Sequence, residues 1–196
     1  MLPNPASAQE RVKQTEYYKH LVKEAFSIID IERKGYIDRK EVSYIMRYLL
    51  QYPSEAQIRD YIIDQLEGDE PSDYIKYEKF EPFMLQAMMT NEYEPSPAEH
   101  MLAAFRVLDP ESKGYVRKDV MTTLLTTKGI TLRAKEIQNF IAFAEDKTGQ
   151  FIYYEDYVAR LIDENDRHKD YLLKDYETFK PSGKWNETIL SKSIER

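Results

Sequence analysis

The residues of this sequence whose types and spacing could do chemistry lie between positions 30 and 41. Carboxylates occupy the first, third, ninth and twelfth positions of this segment and a glycine the sixth, namely Asp30, Glu32, Asp38, Glu41 and Gly35. Oxygen ligands at these positions, with a glycine at the sharp turn between them, are the pattern with which a loop between two helices binds Ca²⁺. These four carboxylates are therefore the candidate metal ligands of the chain.

The same segment carries a residue that opposes metal binding. Lys34 occupies the fifth position, where a calcium loop requires an oxygen ligand. We expect its ammonium group to form an ion pair within the loop in place of the cation, so that the site is vacant and the protein needs no cofactor. Calcium binding by this one loop remains the alternative.

Three further acidic turns depart more strongly from the calcium pattern. The third turn, residues 109–120, ends in Val120 and therefore lacks the bidentate carboxylate of the twelfth position. The second turn, residues 67–79, contains a proline and ends in a lysine. The fourth, near residues 146–156, has Lys147 where a ligand is required. We expect all three turns to be structural.

The elements that position these turns form an internal repeat. Each turn is followed by an aromatic and then an aliphatic residue, and the aliphatic ones are Ile37, Ile75, Val116 and Ile152, at intervals of 38, 41 and 36 residues. Such a period indicates a repeated supersecondary unit, and apolar residues recur with the helical period on both sides of each turn. We predict an all-α, calmodulin-like fold of four EF-hand-like units in two lobes. In each lobe a short antiparallel β-bridge should pair Ile37 with Ile75, or Val116 with Ile152.

Prolines divide the four units into two pairs. Pro95 and Pro97 lie in the segment 90–97 and should interrupt any continuous helix there, which predicts a linker. The predicted organisation is an N-terminal extension at 1–15, an N-terminal EF-hand pair at 16–90, a C-terminal EF-hand pair at 97–162 and a tail at 163–196.

Charge and composition exclude several classes of protein. The 35 acidic against 28 basic residues give a net charge of −7, which argues against a nucleic-acid partner because phosphate contact requires a basic face. The chain has no cysteine, and no apolar run approaches the roughly 20 residues that a membrane helix requires. The histidines are isolated and no nucleophile or phosphate-binding motif occurs. We therefore expect no enzyme, no nucleic-acid partner and no membrane partner.

Apolar side chains of the lobes are candidates for contact with a partner. Flexible methionines can line a groove that accepts a helix, and the alternative is that they fill the lobe cores. In the tail, Leu172, Tyr176 and Phe179 would share one helical face, which predicts a docking helix, with a solvated tail as the alternative. The partner-binding candidates are Phe26, Met46, Met84, Met88, Phe105, Met121, Leu125 and Trp185.

Three stretches of the sequence carry a family resemblance. They are the acidic, proline-containing stretch at 69–84, the stretch at 104–109, and residues 154–157 together with the ending at 162–165. Over roughly residues 16–162 the chain resembles the calmodulin superfamily. More narrowly, it resembles the calmodulin-like EF-hand subunit of the nexin–dynein regulatory complex of ciliary axonemes.

This resemblance implies a function and a location. It implies a non-enzymatic, largely calcium-independent subunit that binds a helix, such as an IQ segment, of a larger subunit of the complex. It also implies residence in the axoneme of a cilium or flagellum, within the doublet-microtubule assembly, and a part in regulating dynein-driven motility. A calcium-sensing or calcium-buffering EF-hand protein is the alternative.

Overall fold

The structure is a computed structural model that describes residues 5–67 and 72–181. It contains the following helices: α1 (Ala8–Ile29), α2 (Val42–Tyr48), α3 (Glu55–Gln57), α4 (Ile63–Glu67), α5 (Tyr77–Thr90), α6 (Ala98–Leu108), α7 (Lys118–Thr127), α8 (Ala134–Ala144) and α9 (Tyr154–Leu173). A 3₁₀ turn (Arg39–Glu41) leads into α2, and a π-helical turn (Ile58–Ile62) joins α3 to α4. The strands are β1 (Tyr36–Asp38), β2 (Tyr74–Lys76), β3 (Tyr115–Arg117) and β4 (Phe151–Tyr153). The mostly helical fold confirms the predicted class.

Two antiparallel bridges join the helix–loop–helix units in pairs. β1 pairs with β2 with Ile37 opposite Ile75, and β3 pairs with β4 with Val116 opposite Ile152, as the repeat predicts. All four aliphatic side chains are buried. Each bridge therefore fixes two loops side by side and brings four helices around one apolar centre.

The N-terminal unit, formed by α1 to α5, is closed over its core. The core of this unit includes buried residues from α1, α2, the π-helical turn, α4 and α5, together with Leu49 directly after α2: Val22, Phe26, Val42, Ile45, Met46, Leu49, Ile62, Leu66, Phe80, Met84 and Met88. Burial of aliphatic and aromatic side chains on this scale is the main term that stabilises the unit.

The C-terminal unit, formed by α6 to α9, is less completely closed. Its fully buried apolar residues are Phe105, Val116, Ala144, Ile152, Tyr154 and Val158, and the side chains around them are only half-buried. Equivalent positions, counted from the bridges, show the difference. Val42 and Met46 are buried in the first unit, whereas Met121 and Leu125 are half-buried in the second.

The predicted boundaries at residues 16 and 163 both fall inside helices. α1 already begins at Ala8, where the Ser7 side chain accepts a hydrogen bond from the Glu10 amide at 3.1 Å and caps the helix. α9 continues to Leu173, and the Leu172 side chain lies in the N-terminal core. Residues 91–97, which contain both prolines, belong to no helix and lie between the end of α5 at Thr90 and the start of α6 at Ala98.

The tail docks on the chain itself. Leu172 is buried against the N-terminal core, and Tyr176 and Phe179 pack half-buried against it. The shared face of these three residues therefore contacts α1 of the same chain. None of the helices in the described part of the chain has the length and apolar character needed to cross a bilayer.

The burial of Phe26 leads to a prediction about the helix register. Its ring lies 5.1 Å from that of Tyr77 and 5.6 Å from that of Phe80, and 3% of the residue is exposed. Phe26→Ala should lower the free energy of unfolding by about 3–5 kcal/mol, because it leaves a cavity that the core cannot refill. Urea denaturation measures this loss.

Val107→Ala supplies the matched control, since Val107 is 79% exposed and should change stability by less than about 0.5 kcal/mol. A loss below about 1 kcal/mol for Phe26→Ala would mean that the ring contributes little to the core.

Candidate functional site

The acidic residues of the first loop are engaged with the protein rather than aimed at a common point. The Asp30 carboxylate accepts hydrogen bonds from the backbone amides of Lys34 and Gly35 at 2.8 and 2.7 Å. Gly35 adopts the positive φ of 78° that this turn requires. The carboxylate at the first loop position therefore fixes the backbone of the turn.

Lys34 forms the expected ion pair, but at the surface of the loop. Its ammonium group contacts the Glu32 carboxylate, and the two side chains are 50% and 71% exposed. The hydrogen bond that Lys34 donates to Glu32, reinforced by the negative charge of that carboxylate, raises the pKa of Lys34. This is an ion pair within the loop, between its third and fifth positions. Because the pair is exposed, it adds little to stability.

The last two acidic residues of the first loop cap the helix that follows it. The Glu41 carboxylate accepts a hydrogen bond from the Asp38 amide at 2.9 Å, and the Asp38 carboxylate accepts one from the Lys40 amide at 2.8 Å. This reciprocal capping box satisfies amides that the helix start would otherwise leave unpaired. Asp38 and Glu41 are thus occupied in a structural contact.

These contacts do not form a calcium site. Within residues 5–67 and 72–181, no three His, Asp or Glu side chains converge as metal ligands. Ca²⁺ requires six to eight oxygens around one point, whereas the candidate ligands Asp30, Glu32, Asp38 and Glu41 each accept a hydrogen bond or an ion pair from the loop itself. The donor set therefore does not fit the ion in this arrangement.

The third loop has the same hydrogen bonds to its first carboxylate as the first loop, and this carboxylate is more buried. Asp109 accepts hydrogen bonds from the amides of Lys113 and Gly114 at 3.0 and 2.8 Å and from the Tyr154 hydroxyl at 3.2 Å. The bond from the Lys113 amide is the main cause that holds the pKa of Asp109 below its usual value. Lys113 Nζ lies 2.7 Å from Glu111 Oε2, in the same surface pair as in the first loop.

Basic side chains connect the two loops of each unit. Arg39 Nη1 lies 3.1 Å from Glu67 Oε1, and Lys118 Nζ lies 3.0 Å from Glu145 Oε2. Arg39 and Lys118 both stand two residues after the aliphatic residue of the bridge, so the pairs are equivalent. In the second loop, Lys79 Nζ also donates to the Glu67 carbonyl at 2.9 Å.

Sequence analysis missed these pairs between loops. The available signal was a basic residue just after the first bridge strand together with an acidic one seven or eight residues before the second bridge residue. A basic side chain thus links the neighbouring loops in each unit. Pro71 of the second loop lies outside the described residues.

The N-terminal partner-binding candidates lie within the closed core. Phe26, Met46, Met84 and Met88 are between 0% and 3% exposed. In this conformation they contact other residues of the N-terminal unit, as the alternative interpretation expected. They would reach a partner only after the unit opened.

The C-terminal candidates lie on an incompletely covered surface. Phe105 is buried beneath it, stacked at 5.5 Å on Tyr154, and Met121 and Leu125 are half-buried on one side of α7. Trp185 lies outside the described residues. We define the C-terminal apolar face as the half-buried residues that surround the small core, namely Met101, Leu102, Met121, Leu125, Phe140, Ile141 and Tyr157.

Several members of this face were not among the predicted contacts. Phe140, Ile141 and Tyr157 come from α8 and α9, whose apolar periodicity was recognised only as helix packing. Their half-burial depends on how far the helices of the unit separate, which a single sequence does not display. The face can accept an apolar surface such as the stripe of an amphipathic helix.

Paired helix–loop–helix units joined by short antiparallel bridges define a calmodulin-like EF-hand fold. A solved structure agrees with this fold. The chain aligns with Mlc1p, determined bound to IQ2 of Myo2p, a class V myosin, with a TM-score of 0.56 and 20% identity over 71% of this chain and 95% of that one.

Sequence relatives identify the family. The chain is 34% identical over 145 residues to Dynein regulatory complex protein 8 of Mus musculus, which covers 74% of this chain and 88% of the mouse protein. It is 36% identical over 119 residues to the protein of the same name from Homo sapiens, covering 60% of this chain and 44% of the human one. No protein-family model matches the chain. The chain belongs to the family of Dynein regulatory complex protein 8.

Comparison of the first and third loops generates a prediction about calcium. Lys34→Asp should supply an oxygen at the fifth position and remove the ammonium, so that the first loop gains measurable affinity for Ca²⁺ in titration calorimetry. The matched variant Lys113→Asp should gain none, because the third loop has Val120 in place of the bidentate carboxylate. Equal affinities in the two variants would contradict this account of the twelfth position.

The contacts of Asp109 generate a prediction about pH. Asp109→Asn should destabilise the C-terminal unit at pH 7, since the amide replaces a carboxylate that accepts three hydrogen bonds. The lowered pKa of Asp109 means that its ionised form contributes stability at pH values above the unfolded pKa of about 4.

That contribution is lost as pH falls through the lower, folded pKa. The difference in melting temperature between wild type and Asp109→Asn should therefore shrink as the pH is taken below about 4. Exposed Asp156→Asn is the control, and a difference that stayed constant down to pH 2 would contradict the assignment.

Proposed function

We propose that this protein is a non-enzymatic subunit of the dynein regulatory complex that binds a helix of a larger subunit through the C-terminal apolar face. Its membership in the family of Dynein regulatory complex protein 8 supports the assignment to this complex. The fold it shares with a light chain bound to an IQ segment supports a helix as the partner. The proposed location is accordingly the axoneme of cilia or flagella, within the doublet-microtubule assembly.

The single observation that carries the proposal is the unequal closure of the two units. The N-terminal unit buries its apolar residues, whereas the C-terminal unit leaves a contiguous set half-buried around a small core. An apolar surface that the chain does not cover itself is typical of a surface that contacts another protein. All four helices of the unit contribute residues to the face, which suits binding to the apolar side of a partner helix.

Calcium independence follows from the chemistry of the loops. The carboxylates of the first and third loops bind backbone amides and lysines, and the cations that connect neighbouring loops are Arg39 and Lys118. A ligand that does not bind cannot shift the equilibrium between closed and open units. The partner helix and the fold itself must therefore supply the free energy that keeps the C-terminal unit open.

A binding experiment with the whole chain tests the proposal. Peptides that span the helical segments of dynein regulatory complex subunits are titrated with the full-length protein in the presence of a calcium chelator. At least one should bind, and its affinity should be unchanged by added Ca²⁺. Met121→Glu should weaken this binding by at least about tenfold, since it places a charge on the apolar face.

Val107→Glu is the matched control. Val107 lies on α6 of the same unit but is 79% exposed and does not belong to the face. Its substitution should leave the affinity unchanged. Binding that required Ca²⁺, or that was insensitive to Met121→Glu, would argue against the proposed mode.

A further inference from the structure

The two units end in helices of different length and attachment. α5 and α9 occupy equivalent positions, each directly after the second strand of its unit, with 14 and 20 residues respectively. α5 ends in a left-handed residue, Asn91, within its own unit. α9 instead leaves the C-terminal unit and reaches the N-terminal one.

The end of α9 and the turn that follows it are attached to α1. We define the latch as residues 171–179. The Tyr17 hydroxyl donates to the Leu172 carbonyl at 2.8 Å in a buried hydrogen bond, and the Leu172 side chain is 4% exposed. The Tyr17 ring also packs edge-on against Tyr176 and Phe179, at 5.2 and 5.1 Å between ring centroids.

Further contacts fasten the same part of the chain. The Tyr52 hydroxyl donates to Asn165 Oδ1 at 2.7 Å, and His168 Nε2 lies 2.8 Å from the Tyr48 carbonyl oxygen. Lys13 Nζ donates to the carbonyl of Glu177 at 3.0 Å. From residue 165 onwards, this segment is therefore held by α1 and by the end of α2 and the residues after it.

The first part of α9 belongs to the C-terminal unit. Tyr157 lies on the C-terminal apolar face, and Val158 is buried in the small core beneath it. Neither glycine nor proline occurs between Tyr154 and Leu173, so the helix has no residue type that commonly produces a kink. About 21 Å of continuous helix, from Tyr157 to Tyr171, thus joins the face to the latch.

The openness of the C-terminal unit needs a physical cause. Closure would bury Met101, Met121 and Tyr157, just as Val22, Val42 and Phe80 are buried at the equivalent positions of the N-terminal unit. The hydrophobic effect favours that closure. A restraint on one helix of the unit is required to oppose it, and α9 is the helix that is fastened elsewhere.

We propose that the latch restrains α9 and thereby holds the C-terminal apolar face open. Contacts on the N-terminal unit then offset the free-energy cost of leaving the face half-exposed, and a partner helix meets a surface that is already arranged to receive it. The benefit for partner affinity rests on the function proposed above, whereas the effect on the shape of the unit does not.

The latch contact is suited to being tested without unfolding the protein. A cavity of about 140 Å³ remains between the latch and α1, and charged residues of both sides, among them Glu24, Lys174 and Asp175, line it. A contact that is partly polar and incompletely packed resembles an exchangeable interface more than a core. Substitution there should release the latch and leave the N-terminal core intact.

The experiment uses the full chain with ¹³C-labelled methionine methyl groups. A soluble gadolinium chelate reports the solvent accessibility of Met101 and Met121 on the face, with Met46 and Met84 of the closed core as internal references. Leu172→Glu should detach the latch, which faster hydrogen exchange in residues 171–179 verifies. Accessibility of Met101 and Met121 should then fall at least about twofold as the unit closes, while the references stay unchanged.

Two further variants make the result specific. Glu177→Gln changes an exposed side chain of the same segment and should leave all four methyl groups as in wild type. Phe179→Ala removes a single ring from the latch contact and should lower the accessibility of Met101 and Met121 partially. This variant still tests the proposal if Leu172→Glu unfolds the protein. Unchanged accessibility of Met101 and Met121 after verified release overturns the proposal, as does a latch that Leu172→Glu fails to detach.

A second readout separates this proposal from the proposed function. A designed amphipathic peptide of about 18 residues, with a leucine stripe and arginine flanks, is titrated against wild type and Leu172→Glu. The latch variant should bind it about tenfold more weakly, because the open state is less populated. If neither protein binds the peptide while Met101 and Met121 still lose accessibility in the variant, the latch stands and helix binding is contradicted.

Discussion

The structure depends on the pairing of two helix–loop–helix units across a short antiparallel bridge. A single unit presents an apolar face that it cannot bury alone. Ile37 opposite Ile75, and Val116 opposite Ile152, bring two such faces together and fix the distance between their loops. Once this register is set, the position of each loop carboxylate and of each helix relative to its neighbour follows. Because the two bridges are alike, the unequal closure of the N-terminal and C-terminal units must have another cause.

Those differences arise from where the last helix goes, because the connections between the loops are equivalent. In both units an ion pair between Arg39 and Glu67, or between Lys118 and Glu145, connects neighbouring loops without a metal ion. Under the calcium independence proposed above, ion binding does not open either unit. The open or closed state of each unit is then set by packing, and α9 packs against both units.

The sequence was sufficient to predict the repeat, the bridge register and the helical class, because these depend on local periodicity and on residue types at fixed spacing. It was not sufficient to identify the partner of Lys34, because several carboxylates of the first loop lie within reach of its long side chain, and it pairs with Glu32 at the surface. Nor did it show that Met46 and Met121, similar residues on equivalent helices, would differ in burial. That difference depends on contacts between segments more than a hundred residues apart, such as Tyr52 with Asn165.

The proposed calcium independence places a requirement on the fold of the protein itself. When an ion opens the unit, the closed state can be the resting state, and ion binding supplies the difference in free energy. Without that source, a partner could bind a closed unit only after the unit had opened. The apparent affinity would then be reduced to the intrinsic affinity multiplied by the fraction of molecules that are open. This loss of affinity is avoided if the burial of apolar side chains elsewhere in the chain stabilises the open face. Leu172 can supply this stabilisation, because its helix begins in the C-terminal unit while its side chain is buried in the N-terminal core.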